Sequence, residues 1–248
     1  KEEIWVNIFN SGFSKYERGK IDEALEEFVL ASKVLVKIEN HLALADIYLQ
    51  VGDPDKANEN LNIALDMDPN NFDVLIALAN HHLAKSDYEQ AINFYNHAKN
   101  SSEDEDSKNK VLRMMLDLNI ELKNYDTAFE IKEELELAYR NDADFMYAIG
   151  VLYQNLAANL YDEANEVYNK NRNSLDQELL VDIYQTFIQA QEAAEEAIES
   201  FETTEGISPG YIDTQISDLE SLIEWIETNT ISIEDKAYEE GFDDLLFD

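Results

Sequence analysis

The sequence predicts an all-α protein in which helix hairpins stack into a right-handed α-α superhelical solenoid closed by C-terminal capping helices. Three observations lead there. A pattern of small and bulky residues recurs at a shift of 33 to 34 positions through the first part of the chain. Beyond it, apolar residues recur at helical spacing. Gly numbers only 7 and Pro 3 among 248 residues. A chain this poor in tight-turn residues has little use for hairpins of strands, so an all-β barrel or sandwich is excluded.

Composition narrows the function classes. Acids outnumber bases 54 to 18, for a net charge of −36. Such a surface repels phosphate backbones and anionic lipid, so no direct nucleic-acid partner is expected and cationic protein partners are favoured. The 45% hydrophobic content argues against wholesale disorder. No stretch approaches the ~18 uninterrupted apolar residues of a membrane span. Cysteine is absent, which removes disulfides, thiolate metal sites and Cys nucleophiles. The first residue is Lys1 rather than Met, so compartment is left open: a cytoplasmic location is the expectation and an exported form is compatible with it.

The elements follow in order. Tyr48-x8-Ala57-x3-Leu61-x2-Ala64-x4-Pro69 aligns with His82-x8-Ala91-x3-Tyr95-x2-Ala98 one repeat later, and with Gly12 and Ala24-x3-Phe28-x2-Ala31 one repeat earlier. Small residues at Ala45, Ala57 and Ala64 let two antiparallel helices approach, with Tyr48 and Leu61 filling the space between them. Gly52 stops a helix, Asp53 caps the next and Pro54 takes its first turn. Ser86-x2-Glu89 reads as a capping box. Five units are expected within 1–172, at about 5–37, 38–71, 72–105, 109–142 and 143–172. The fourth has Asn119 at the aromatic position and Lys132 at the bulky apolar one. The fifth keeps Gly150, Tyr153, Tyr161, Ala164 and Tyr168, with two extra residues between its helices. One hairpin cannot bury its own apolar face, so neighbours must stack.

These residues resemble the tetratricopeptide repeat family, with 38–71 matching best and Leu65-Asp66-Met67-Asp68-Pro69-Asn70-Asn71 forming the family's usual inter-repeat turn. The resemblance implies that the first helix of each unit lines a concave peptide-binding groove. Its groove-facing positions are then Phe9, Phe13 and Tyr16, with Val6, in the first unit. Leu42, Asp46 and Leu49 follow in the second, and Asp73, Ile76, Asn80 and Leu83 in the third. Arg113 and Asp117, with Lys110 and Ile120, belong to the fourth; Tyr147 and Val151, with Asp144, to the fifth. One branch of the family grips acidic C-termini with a carboxylate clamp of Lys, Asn and Arg. Here those positions hold Phe9, Phe13, Ala43, Asp73 and Ala77, so that ligand is excluded. The Asn ladder that holds an extended peptide backbone in other members is missing as well, Asn10 standing alone.

The last third differs. Residues 174–248 hold 21 acids and one base, Lys236. Ser174-x2-Gln177 caps a long helix to about Thr203 with Leu179, Ile183, Phe187, Ala190, Ala194, Ala197 and Phe201 on one side. Gly206 and Ser208-Pro209 break it, and Ile212, Ile216, Leu219, Ile223 and Ile226 mark another helix. Residues 173–230 are therefore read as acidic capping helices for the open end of the array, or as helices that fold back into the groove or self-associate. Residues 231–248 read as an acidic-hydrophobic tail or as a short helix docked by Phe242, Leu245 and Leu246.

Catalytic, cofactor and metal sites are not expected. His41 and His82 fall on repeat positions that pack inside a hairpin, and adjacent His81 and His82 point about 100° apart on a helix, too far to share a metal. Asp66-x-Asp68-x-Asn70 opens like an EF-hand loop but has Asn71 for the required Gly and Ala77 for the bidentate Glu. The run 101–106 reads as a solvated loop. No P-loop, dinucleotide glycine motif or nucleophile elbow occurs. The expectation is a non-enzymatic scaffold or adaptor whose groove takes a partly apolar, partly basic peptide or amphipathic helix. Its rivals are a self-assembling structural repeat protein, paired through its C-terminal helices, and an acidic chaperone-like protein for basic clients.

Overall fold

Helix, left-handed residue, cap, helix: one turn recurs through the first half of the chain and sets its length scale. In the computed structural model, which describes residues 1–204 and 206–242, the chain forms eleven helices and no strand among the described residues. Two compact units are present, Lys1–Leu112 and Arg113–Asp248.

The first unit holds three hairpins: α1 (Glu2–Glu17) with α2 (Ile21–Val34), α3 (Ile38–Gln50) with α4 (Pro54–Met67), and α5 (Phe72–Ala84) with α6 (Tyr88–Ser101). Gly19 (φ 71°) and Gly52 (φ 79°) make the turns of the first two, and Ser86 (φ 57°) does the same in the third. After Gly52 the Asp53 side chain accepts from Lys56 N at 3.2 Å, capping α4 with Pro54 in its first turn. In the third turn the cap is Asp87, accepting from Gln90 N, and not Ser86. Ser86 is spent on the left-handed position, which corrects the capping-box expectation. The hairpin cores repeat the small–bulky–small triplet: Ala24, Phe28 and Ala31, then Ala57, Leu61 and Ala64, then Ala91, Tyr95 and Ala98 are all buried. Gly12 permits the closest approach, since a Cβ there would meet the Phe28 ring at 3.0 Å.

Helix α7 (Glu105–Glu121) straddles the division between the units. Its last turns lead through Lys123 (φ 57°) into α8 (Tyr125–Tyr139), a fourth use of the same turn. Asn119, at the aromatic position, is buried and satisfied, donating to Met115 O at 2.7 Å and accepting from Asn124 Nδ2 at 3.3 Å. Lys132 is replaced in the core of α8 by Ile131, which lies with Ala128 and Leu135 on the buried face.

Residues 143–172 do not form the expected hairpin. They form one helix of 29 residues, α9 (Ala143–Asn171). Thirty-four residues after Lys123, where the left-handed turn would stand, the chain has Ala157, a strong helix former that is fully buried. Nothing stops the helix, so the partner of α9 is α10 (Gln177–Glu202). The α10 cap is Asp176, accepting from Leu179 N at 3.0 Å, rather than Ser174. Alanines 157, 164, 190, 193, 194 and 197 line the buried seam, bringing the two helices close along their length. Gly150 sits under the Phe201 ring, where a Cβ would lie 2.6 Å from ring carbons.

After Gly206 (φ 95°), α11 (Pro209–Glu240) lays Ile212, Leu219, Ile226 and Ile233 across this pair. It is continuous through 231–240, where a separate tail or short helix was expected, and it ends at Gly241 (φ 76°). Phe242 packs on the cluster around Ile233 and Ala237. Leu245 and Leu246, the other expected docking residues, lie outside the described residues. No helix among the described residues is long and apolar enough to cross a membrane.

Candidate protein-binding surface

Of the fourteen candidate positions, those of α1, α3 and α5 fall into two groups. Some are spent on the hairpins. Phe9 stacks on Trp5 at 4.9 Å and leans on Phe28 at 5.2 Å. Leu42 joins the core of the second hairpin, Ile76 is buried, and Asn80 accepts a hydrogen bond from Tyr95 Oη at 2.5 Å. The others reach solvent. Phe13 is 50% exposed and Leu49 41%. Asp46 and Asp73 are exposed and Leu83 is half-buried.

Tyr16 and Asp46 join two of these helices directly, the phenol donating to the carboxylate. That hydrogen bond is the main reason the Tyr16 phenol is held above its ordinary range, with burial and the nearby charge adding to it. Phe13 lies one turn before Tyr16 on α1 and Leu49 one turn after Asp46 on α3, so exposed apolar side chains flank the pair. Neither Asp46 nor Asp73 enters an ion pair among the described residues. Next to them is an open hollow of about 380 Å³ that brings Leu42 and Asp73 together with Val36, Ile38 and Met67. Its one base, Lys37, is engaged by Glu2 at 2.5 Å and lies over the Trp5 ring at 4.3 Å.

In the second unit the candidate positions are largely committed. Arg113 donates to Asp142 at 3.0 Å and lies 5.5 Å from the ring centres of Tyr139 and Phe145. A backbone hydrogen bond from Phe145 and that guanidinium hold the Asp142 carboxyl below the usual range. Asp117, by contrast, is pushed up by loss of surrounding water, with Arg113 pulling the other way. Tyr147 and Val151 pack against the cluster that includes α11. The Tyr147 hydroxyl donates to Tyr211 Oη at 3.1 Å, and burial together with that bond pushes its phenol up to about 12. In this unit α11 therefore covers candidate positions of α9.

The polar motifs weighed for chemistry have structural partners. Asp68 accepts from Asn70 N at 3.1 Å, and Asn70 Oδ1 meets His97 Nε2 at 3.0 Å, so the EF-hand-like residues build an inter-repeat turn. Asp104 of the acidic run caps α7, accepting from Ser107 N at 2.9 Å. His41 is buried against Asn60 at 3.0 Å, as its repeat position implies. His82 is only half-buried, held by Asp87 at 2.9 Å. The deeply buried histidine is His81, whose two ring nitrogens make no hydrogen bond among the described residues. It falls two turns after Val74 on the inward face of α5. Burial is the main cause of its lowered pKa, and Lys85 and His82 add to it.

Comparison with known proteins agrees with this architecture. Residues 42–106 match the tetratricopeptide repeat family model, and the chain carries tetratricopeptide repeats there. No curated protein matches the sequence. Among solved structures, a tetratricopeptide repeat protein of Parabacteroides merdae is 15% identical over 87% of this chain and 98% of that one, with a TM-score of 0.55. The protein pilF of Pseudomonas aeruginosa is 17% identical over 96% and 98%, also with a TM-score of 0.55. Cut9, solved as a hetero-tetramer with Hcn1, is 18% identical over 86% of this chain and 35% of that one, with a TM-score of 0.52. At these identities the likeness is one of fold.

Proposed function

We propose that this chain is a non-enzymatic protein-interaction scaffold whose first unit takes a partly apolar, partly basic peptide or amphipathic helix along α1, α3 and α5. Tetratricopeptide repeats are a protein-binding fold, and Cut9 is a structural neighbour solved with a protein partner. The observation that carries the reading is the Tyr16–Asp46 pair flanked by exposed Phe13 and Leu49, with Asp73, in no ion pair among the described residues, beside the neighbouring hollow. Apolar contacts of this kind supply affinity, and unpaired carboxylates select a partner bearing Lys or Arg.

The test is capture of partners from native lysate by the full chain and by the Asp46→Lys, Asp73→Lys double variant, followed by direct titration of the partner identified. Binding should weaken about tenfold or more and lose salt dependence in the variant. Unchanged affinity and unchanged salt dependence would place the partner elsewhere.

A further inference from the structure

Helix α8 covers only part of α9. Its 15 residues run antiparallel to the first half of the 29-residue α9. Tyr139 meets Phe145 at 6.1 Å, Phe129 meets Tyr153 at 5.2 Å, and Tyr125 donates to Asn155 O at 3.1 Å, where α8 ends. From Leu156 to Asn171, ~24 Å of helix at 1.5 Å per residue, α9 continues without it. Helix α11 packs on a different face, marked by Gln154 bonded to Gln215 at 2.9 Å and Tyr147 bonded to Tyr211. The face that α8 leaves open is a hollow of about 620 Å³ between α9 and α10. Tyr153, Leu156 and Leu160 form its floor, and Glu192, Glu195, Glu196 and Glu199 line it from α10.

Those four carboxylates follow i, i+3, i+4 and i+7 spacing, one exposed stripe on α10. None has an ion pair among the described residues; Gln191 donates to Glu195 at 2.9 Å. Glu196 and Glu199 also line the adjoining hollow beside α8, together with Lys132 and Arg140, and Lys132 is bound to Glu136 at 3.3 Å. An apolar floor in line with a helix already seated on the same face, beside a row of like charges that enter no ion pair among the described residues, specifies its occupant by shape and by sign.

We propose that this face is a second docking site, for a cationic amphipathic helix of another protein that lies in line with α8, its apolar side on Leu156 and Leu160 and its Lys or Arg residues against Glu192, Glu196 and Glu199. The charge selects against the other occupants. A second copy of the chain brings a net charge of −36. This site is separate from the groove of the first unit and does not rest on it.

The probe is a capped, fluorescent peptide of about 16 residues, the length of the open stretch, with Leu at helical i, i+3, i+4 and i+7 positions and Lys on the flanks. It is titrated into the full chain carrying Asp46→Lys and Asp73→Lys, which removes the first-unit surface from the measurement. Saturable binding is expected, with slowed amide exchange at 156–163 and 189–199. Adding Glu192→Gln, Glu196→Gln and Glu199→Gln, all exposed and all helix-compatible, should weaken it about tenfold, the upper range for three exposed charge pairs. A peptide of the same composition with its Leu residues scattered should bind more weakly by a similar factor. No binding, equal binding by the scrambled peptide, a change under twofold in the triple variant, or exchange protection elsewhere would each overturn the proposal.

Discussion

The two units solve the same packing problem at different lengths. In both, a glycine of one helix lies beneath a phenylalanine of its partner: Gly12 under Phe28 in the first unit, Gly150 under Phe201 in the second. In the first unit a left-handed residue then ends every hairpin's first helix within a turn or two. In the second, Ala157 stands where that residue would be, and the helix runs on to Asn171. A single position thus separates a repeat of standard length from a long pair that a third long helix must cover. The longer pair outruns α8 and leaves a face open.

The largest expected break in this comparison is loss of the ring that crosses the glycine. Phe201→Ala should cost ~3–5 kcal/mol, because Phe201 is fully buried in the α9–α10 seam. Urea denaturation followed by far-ultraviolet circular dichroism measures it. Next, the two glycines should respond unequally to alanine. At Gly150 the new Cβ would sit 2.6 Å from a ring that cannot move, so a net loss of ~1–3 kcal/mol is expected despite better helix propensity. At Gly12 the contacts are 3.0 Å and 3.1 Å, and the propensity gain offsets most of the crowding, leaving a change within ~1 kcal/mol. Adding Phe201→Leu to Gly150→Ala should recover part of the loss; strict additivity of the two changes would contradict the crossing described here.

Glycine itself should change sign along the repeat. Ser86→Gly and Lys123→Gly relieve a left-handed backbone and should stabilise by ~1 kcal/mol, while Ala157→Gly, in the buried middle of α9, should destabilise by at least as much. Thermal melts of the three variants settle this. A stabilised Ala157→Gly would mean that α9 is a hairpin after all.

How much of this was legible in the sequence depended on where each signal is written. The turn at Gly52 is written locally, and Asp53-Pro54 names its own cap. Caps went astray by one or two residues at Ser86 and Ser174 because another cap-former, Asp87 or Asp176, stands close by and competes for the same role. The continuity of α9 was hidden because Gly150, Tyr153, Tyr161, Ala164 and Tyr168 satisfy a repeat pattern while the missing turn is an absence, one alanine at 157. In the proposed binding surface, Phe13, Asp46, Leu49 and Asp73 reach solvent. Phe9 is half-buried and Ile76 is buried, because the buried face of a helix is wide enough to claim positions flanking the proposed groove. The stripe of Glu192, Glu195, Glu196 and Glu199 does not stand out in so acidic a sequence, because only the short α8 gives it an open floor.

A smaller effect separates the units by pH. Neutral His81 is buried in the first unit without hydrogen-bond partners, and its folded pKa lies below its unfolded one. Its unfolded state therefore binds the proton more readily: the contribution to stability is fully present above the ordinary histidine pKa and is lost as pH falls through it. Lys85 and His82 reinforce this and Asp55 opposes it. Denaturation midpoints at pH 7.5 and 5.5 should converge in His81→Leu relative to the parent chain; an unchanged pH dependence would show that His81 is not the group responsible.

The most direct test of the account is the footprint of a captured partner on the full-length chain, read by amide hydrogen exchange with the crevice on α10 disabled by Glu192→Gln, Glu196→Gln and Glu199→Gln. Slowed exchange confined to α1, α3 and α5, and abolished by Asp46→Lys with Asp73→Lys, is the predicted result. Protection on α2, α4 and α6 instead, or protection that survives the charge reversal, would contradict it.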